Sequence, residues 1–183
     1  MKKIAVLVAP GFEEIELLAP VDILRRLELD VQLIGVQSDS VTGAHNVTIQ
    51  TDSTLAQLNP SEIDALILPG GAASWVLRDT PEVIELVKQT FAEDKLVAAI
   101  CAAPIALAKA GIVAGKKVTA YPMDEVHAEI SEAGGQLVDK DVAIDNNLIT
   151  GRGPAVALAF GYALGEYLTS SAQVAELKSA MCY

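Results

Sequence analysis

Cysteine and histidine are scarce in this chain of 183 residues. The two cysteines, Cys101 and Cys182, lie far apart and form no CxxC motif, so the sequence indicates neither a disulfide framework nor a zinc cluster. The two histidines, His45 and His127, do not share metal-ligand spacing with Cys101. We therefore expect no bound metal ion, and we expect the protein to work in a reducing, cytoplasmic compartment.

Basic and aromatic residues are also few. The chain has 13 lysines and arginines against 24 aspartates and glutamates, a net charge of −11, and only 4% of its residues are aromatic. Nucleic-acid binding depends mainly on a basic surface, and single-stranded nucleic acids also need aromatic side chains for stacking. This composition therefore argues against a nucleic-acid partner and against binding to an anionic membrane surface.

Long apolar runs are missing as well, although 51% of the residues are hydrophobic. Glycine, proline or charged residues interrupt every apolar stretch before it reaches the length of a bilayer span. The chain begins Met-Lys-Lys and continues into an apolar run over residues 4–8, which is too short for the core of a secretory signal. We expect a protein that neither crosses nor binds a membrane.

The length suits one α/β domain that spans residues 1–183. Apolar segments predict buried strands over residues 3–9, 31–36, 63–68 and 96–100. Helices are predicted over residues 13–27, 81–92, 104–109, 154–168 and 173–181. Shorter elements are predicted as a hairpin over 41–55, a strand over 117–120, a helix over 125–133 and a hairpin that ends at Thr150. Because strands that alternate with helices form right-handed βαβ crossovers, we predict a doubly wound, mostly parallel sheet with helices on both faces.

Active sites of such sheets form at the carboxyl ends of the strands, and Cys101 directly follows one of them. The apolar run over residues 96–100 predicts a buried strand, and Pro104 suits the first turn of a helix. A thiol in this sharp turn, which is similar to the nucleophile elbow of hydrolases, lies beside helix amides that lower its pKa. The alternative is a small core residue, because free cysteine is among the most buried residue types.

A carboxylate, Glu16, is predicted to lie near the tips of the same strands. It begins a helical row that is otherwise apolar and is formed by residues 16, 19, 20, 23, 24 and 27. Burial there raises the pKa of the carboxyl and lets it share a proton with a neighbouring thiol or substrate. Helical periodicity does not single out Glu16, since Glu13 lies partly on the same apolar stripe. The ordinary alternative is that the glutamate is simply exposed at the start of a helix.

A glycine pair, Gly70 and Gly71, follows a third strand end. Glycine admits positive φ and leaves amides uncovered, so the amides of Gly71 and Ala102 are candidates to hold a developing oxyanion, although a plain turn also explains the pair. Residues 151–153 give only half of a dinucleotide fingerprint, because Val156 occupies the third glycine position, and the chain has no Walker A sequence. We therefore expect no nucleotide and no other cofactor.

Four segments together resemble the DJ-1/ThiJ/PfpI superfamily, most closely its DJ-1 (ThiJ-like) branch, over essentially the whole chain. They are Ala9-Pro10-Gly11-Phe12-Glu13-Glu14-Ile15-Glu16, Leu68-Pro69-Gly70-Gly71, Ala98-Ala99-Ile100-Cys101-Ala102-Ala103-Pro104 and Thr150-Gly151-Arg152-Gly153-Pro154. The resemblance implies a flavodoxin-like fold and a homodimer. It also implies a reactive Cys101 that is hydrogen-bonded to a protonated Glu16 and oxidises readily to a sulfinate. Gly71 and Ala102 match the oxyanion amides of the family.

Two positions depart from the pattern of related branches. Protease-like and chaperone-like branches place a histidine directly after the cysteine, where this chain has Ala102, so the sequence argues against a peptidase. Animal DJ-1 proteins place a histidine where this chain has Tyr121, which is a poor base near neutral pH. In the family, a residue of the region 41–49 can reach the partner's active site. His45 is therefore, like Tyr121, a candidate neighbour of the catalytic residues.

The resemblance implies a glutathione-independent enzyme of the glyoxalase III type that acts on the small dicarbonyls methylglyoxal and glyoxal. In it, Cys101 is the nucleophile and Glu16 the acid and base. Protein deglycase activity is attributed to the same kind of site, and the sequence does not separate the two. The alternative is a redox-sensing, stress-protective, chaperone-like protein whose output is the oxidation of Cys101.

Overall fold

Strands and helices alternate along the chain in the computed structural model, which describes residues 2–183. The strands are β1 (Lys3–Val8), β2 (Asp30–Gly35), β3 (Ser40–Thr42), β4 (Thr48–Gln50), β5 (Ser53–Thr54), β6 (Ala65–Leu68), β7 (Leu96–Ile100), β8 (Lys117–Val118), β9 (Gln136–Leu137), β10 (Val142–Asp145) and β11 (Leu148–Gly151). The helices are α1 (Glu14–Arg26), α2 (Ala73–Asp79), α3 (Pro81–Ala92), α4 (Pro104–Lys109), α5 (Asp124–Glu132), α6 (Ala157–Leu168) and α7 (Ser171–Ala180).

Seven of these strands form the central sheet, in the order β10-β11-β7-β6-β1-β2-β5. Every neighbouring pair is parallel except β10 and β11, which form an antiparallel hairpin. One edge strand, β5, has only two residues, and β10 forms the other edge. The mostly parallel, doubly wound α/β sheet predicted from the sequence is confirmed, and it has the flavodoxin-like architecture implied by the resemblance.

The helices cover both faces of the sheet. Helix α1 packs on α6, whereas α2, α3, α4 and α5 contact one another in a second layer. All residues of β6 and β7 are buried, as expected for parallel strands that are covered on two sides. In residues 2–183, none of the helices is both long enough and apolar enough to span a bilayer.

Two predicted elements differ from the structure, and one observed helix has no predicted counterpart. The strand predicted over 117–120 is only Lys117–Val118, and it pairs with β9 in a separate two-stranded sheet. The helix predicted over 154–168 begins with a short 3-10 turn at Pro154–Val156 before α6. Helix α2 was not predicted at all, because it is short and follows the glycine turn almost directly. The predicted hairpin within 41–55 is confirmed as the antiparallel pair of β3 and β4.

Candidate active site

Cys101 occupies a strained strand-to-helix turn at the carboxyl end of β7. Its φ is +65°, a value that is uncommon for residues other than glycine. The turn is fixed by two backbone hydrogen bonds: the Cys101 amide donates to the Gly151 carbonyl (2.9 Å), and the Tyr121 amide donates to the Cys101 carbonyl (2.8 Å). Helix α4 begins at Pro104, as predicted. The chain therefore places the thiol in a turn of the nucleophile-elbow type.

Glu16 lies in the first turn of α1 and is fully buried. Its Oε2 accepts a hydrogen bond from the Gly70 amide (3.0 Å), whereas Oε1 has no hydrogen-bond partner of ordinary geometry among residues 2–183. Burial raises the pKa of this carboxyl to about 7, although its interaction with Cys101 and the Gly70 amide lowers the pKa in part. The predicted buried carboxylate is therefore Glu16, since Glu13 is partly exposed.

The expected lowering of the thiol pKa is wrong for this arrangement. Burial, followed by the charge and hydrogen bond of Glu16, raises the pKa of Cys101 to about 12, and these effects outweigh the amides of Gly71 and Ala102, which lower it. Helix α4 has only six residues, so its dipole offers little compensation. Burial opposes a charge on either group, and a charge on Glu16 further opposes ionisation of Cys101, so the carboxyl ionises before the thiol.

The glycine pair after β6 brings the thiol, the carboxyl and the amides together. A Cβ on Gly70 would lie 2.5 Å from the Cβ of Cys101, so only glycine allows Glu16 and Cys101 to approach across this turn. Gly71 has a φ of +82°, and a Cβ there would lie 2.5 Å from the Gly11 carbonyl oxygen. The amides of Gly71 and Ala102 both lie close enough to the Cys101 sulfur to lower the pKa of the thiol. Their predicted role as donors to a developing oxyanion stays a prediction.

A second buried carboxylate, Glu14, was not singled out from the sequence. Its Oε1 accepts hydrogen bonds from the amides of His45 (2.7 Å) and Val47 (3.4 Å), and its Oε2 bonds the His45 ring Nδ1 (2.9 Å). Burial raises the pKa of Glu14, but the hydrogen bonds from His45 and Val47 outweigh it and lower the pKa to about 2. Glu14 thus ties the tip of the β3–β4 hairpin to the start of α1.

His45 is accordingly part of a cluster with two glutamates. Its Nδ1 lies 3.6 Å from Oε1 of Glu13, and the hydrogen bond to Glu14 is the largest influence that raises the pKa of the ring. Glu13, Glu14 and His45 each offer one ligand atom, and these atoms lie within 4.8 Å of one another, so they could hold a metal ion. No sequence spacing revealed this group, because its members come from a helix start and a distant hairpin.

Tyr121 and His45, which the sequence predicts as neighbours of the site, are joined to it in different ways. Tyr121 touches Cys101 through its main-chain amide, whereas its side chain is exposed and lies next to Gly153. The polar contacts of His45 are with Glu13 and Glu14. The structure therefore joins Cys101, Glu16, Gly71 and Ala102 in one site. It brings Tyr121 to that site by its backbone and His45 to the adjacent carboxylates.

Comparisons with known proteins agree with the fold of this chain. The family model described as the DJ-1/PfpI family matches residues 2–166. Protein dj-1beta of Drosophila melanogaster is 35% identical over 182 residues, covering 98% of this chain and 96% of that protein. Its crystal structure matches with a TM-score of 0.93, covering 100% of this chain and 98% of that one.

Of two further relatives, one is named for an enzymatic activity and the other was solved in an oxidized form. A deglycase of Pyrococcus horikoshii is 35% identical over 153 residues, covering 84% of this chain and 91% of that protein. The structure of an oxidized DJ-1 of Toxoplasma gondii is 29% identical, with a TM-score of 0.90, and the match covers 100% of this chain and 99% of that one.

Proposed function

Because the chain belongs to the DJ-1/PfpI family, we propose that it is a glutathione-independent glyoxalase III-type enzyme with deglycase activity, acting on methylglyoxal and glyoxal. The observation that carries this proposal is the buried Glu16 carboxyl, which lies close enough to the Cys101 thiol for each group to influence the ionisation of the other. The family includes proteins named deglycases, which supports an enzymatic activity. The reaction below follows from what these two groups can do.

The first step is addition of the Cys101 sulfur to the aldehyde carbon of methylglyoxal. A carbon–sulfur bond forms, the carbonyl oxygen receives the proton that the thiol gives up by way of Glu16, and the product is a hemithioacetal. The amides of Gly71 and Ala102 stabilise the negative charge that develops on this oxygen.

The second step moves a proton between adjacent carbons. The Glu16 carboxylate takes the proton from the hemithioacetal carbon while the neighbouring carbonyl oxygen gains a proton, which gives an enediol. Glu16 then returns its proton to the neighbouring carbon, and the hydroxyl on the sulfur-bearing carbon loses its proton to become a carbonyl. This produces a lactate thioester on Cys101, and water hydrolyses it to lactate and the free thiol. Glyoxal gives glycolate by the same route. The net change adds one water molecule to the dicarbonyl, so no external oxidant or reductant is consumed.

The decisive experiment supplies purified protein with methylglyoxal, without glutathione, and measures lactate. We expect lactate from the wild-type protein and a loss of at least about 100-fold in Glu16→Gln, which keeps the shape of the side chain but cannot transfer the proton. Cys101→Ser should be equally inactive. If the wild-type protein forms no more lactate than these two variants, the glyoxalase proposal fails.

A second candidate function is redox sensing through Cys101. The observation in its favour is the solved oxidized form of the Toxoplasma gondii relative. In this case peroxide oxidises Cys101 to a sulfenate and then a sulfinate, and Glu16 accepts or donates the hydrogen bond that holds the product. Titration with peroxide and measurement of the intact mass test this function. Cys101 must gain oxygen before the exposed Cys182 does, since the reverse order would exclude a sensor at Cys101.

A further inference from the structure

A cavity of about 350 Å³ lies beside the small β8–β9 sheet, and neither Cys101 nor Glu16 lines it. Its apolar part is formed by Ala120, Pro122, Leu137 and Val138. Its polar part is formed by Thr119, His127, Asp139 and Arg152. A mostly apolar cavity of this volume with a few convergent polar groups is typical of a site for a small ligand.

The walls of this cavity are fixed before any ligand binds. The amide of Thr119 donates to the hydroxyl of Thr150 (2.9 Å), and the Thr119 hydroxyl donates to the Lys140 carbonyl (2.6 Å). The Arg152 amide donates to the Asp141 carbonyl (2.9 Å). A ligand that enters therefore does not have to order these segments, which favours binding.

The polar groups of the cavity favour an anion. Arg152 supplies a positive charge at the cavity. Among residues 2–183 no hydrogen bond joins the His127 ring to another side chain, so the ring is available to donate to a ligand. Arg152 now pairs with Asp139 through Nη1, but the Asp139 side chain is 86% exposed, so this pair is screened by solvent and weak. A guanidinium has five donors, and among residues 2–183 the side chain of Arg152 bonds only Asp139, so most of these donors are available for a carboxylate.

We propose that this cavity is a second binding site, separate from Cys101, for a small carboxylate with a short apolar chain. The carboxylate pairs with the Arg152 guanidinium and accepts a hydrogen bond from His127. The apolar chain packs against Leu137 and Val138. The exposed Asp139 opposes the anion and turns away from Arg152 when the ligand binds.

Two backbone segments connect the proposed site to the turn that holds Cys101. The segment that carries Pro122 begins at Tyr121, whose amide holds the Cys101 carbonyl, and Arg152 follows Gly151, whose carbonyl holds the Cys101 amide. A ligand between these two segments therefore contacts both supports of the strained turn. Binding itself does not depend on the proposed chemistry of Cys101, so it can be tested whether or not the protein is a glyoxalase.

The test uses butyrate as the probe and butyramide as its neutral control, followed by amide chemical shifts of the labelled protein. We expect saturable shifts at Thr119, Leu137 and Val138 with butyrate, and a Kd of about 1 mM, which is reasonable for six heavy atoms. Butyramide should bind much more weakly. Cys101→Ser should bind butyrate as the wild-type protein does.

Three charge variants test the role assigned to Arg152. Arg152→Gln should weaken butyrate binding about tenfold or more, since it removes a charged hydrogen bond. Asp139→Asn should strengthen it, because the guanidinium is released. Lys140→Gln, which makes the same charge change on the neighbouring surface, should leave the affinity unchanged. Equal weakening by Arg152→Gln and Lys140→Gln, equal shifts with butyramide, or shifts confined to Gly71 and Ala102 would each overturn the proposal.

Discussion

Glu16 is a carboxyl that water does not reach, and its protonation therefore affects folding. The pKa of this group is about 7 in the folded protein and near 4.5 in the unfolded chain. Between these values the folded protein binds more protons, so the free energy of unfolding must fall as the pH rises from about 4.5 to about 7. One pKa unit corresponds to about 1.4 kcal/mol, which makes the fall on the order of 3 kcal/mol.

Urea unfolding at a series of pH values measures this effect. Glu16→Gln cannot ionise, so its free energy of unfolding should lack the fall that the wild-type protein shows across this interval. Glu14 does not affect this comparison. Because its pKa is lowered in the folded protein, its contribution to the free energy of unfolding is lost only below about pH 4.5. The difference between the two curves also cancels the contribution of His45. Parallel curves would show that Glu16 is ionised in the folded protein at all these pH values.

The same substitution should make the Cys101 thiol more acidic. Glu16 raises the pKa of Cys101 by its charge and its hydrogen bond, and glutamine removes the charge while the amides of Gly71 and Ala102 remain. We expect Glu16→Gln to react faster with iodoacetamide at pH 8, by roughly three- to fourfold for each unit that the thiol pKa falls, because the thiolate fraction rises while each thiolate becomes less nucleophilic. Cys101→Ser gives the background rate of Cys182, and an unchanged rate in Glu16→Gln would contradict the coupling.

At the scale of elements, the site depends on close contact between two loops. The loop after β1 meets the loop after β6, where the Glu13 amide donates to the Gly70 carbonyl (3.1 Å) and the Ala73 amide donates to the Gly11 carbonyl (3.2 Å). Gly71 lies at this contact. A Cβ on it would be 2.5 Å from the Gly11 carbonyl oxygen and 2.6 Å from the Glu13 nitrogen, and neither backbone can move without opening the site.

Gly71→Ala and Gly115→Ala separate the steric clash from the backbone strain. Both glycines have positive φ, +82° and +70°, but a Cβ on Gly115 meets nothing within 4 Å. Gly115→Ala should therefore cost only the left-handed conformation, about 1–2 kcal/mol. Gly71→Ala should cost about 1–3 kcal/mol more and reduce lactate formation, as measured by urea unfolding and the enzyme assay. Equal losses of stability would mean that the two loops can separate freely.

The elements differ in how far the sequence predicts them. Strands β6 and β7 are continuous apolar runs between clear turns, so residues 96–100 were predicted without error, as was the helix at Pro104–Lys109. Helix α2 has seven residues and no long apolar stripe, which leaves too little periodicity to detect. Short strands such as Lys117–Val118 are defined by their partner, and a partner is not visible in the sequence.

The residues of the candidate site also differ in how far the sequence predicts them. Helical periodicity placed Glu16 on the buried face of α1, and the strand-to-helix pattern placed Cys101 at a turn. The raised pKa of Cys101 was missed because it depends on the distance between these two groups in space. Glu14 was missed because its partners, His45 and Val47, come from a distant hairpin and share no spacing with it.

At the scale of the whole molecule, exposed apolar side chains at the start of α1 support the homodimer implied by the family resemblance. Ile15 and Leu18 lie one helical turn apart and are exposed, and Val47 is exposed on the hairpin that Glu14 ties to the same helix. A patch of this kind next to the site suits contact with a second copy. We therefore expect a dimer whose interface includes these side chains.

Sedimentation of wild-type protein and of two charge variants tests this expectation. Ile15→Glu should shift the protein from dimer to monomer, because it places a charge within the apolar contact. Ile144→Glu makes the same change at an equally exposed isoleucine on β10 and should remain dimeric. A monomeric wild-type protein, or identical behaviour of the two variants, would exclude this interface.

The edges of the central sheet determine how copies of the chain can associate. Strand β5 ends one edge after two residues, and at the other edge the Asp145 carboxylate of β10 accepts hydrogen bonds from the amide of Lys117 (3.0 Å) and the ammonium of Lys116 (3.4 Å). Long, unpaired edge strands are the templates on which fibres grow. Since this sheet has a two-residue strand at one edge and a partly hydrogen-bonded strand at the other, the folded protein should resist fibre growth even at high protein concentration.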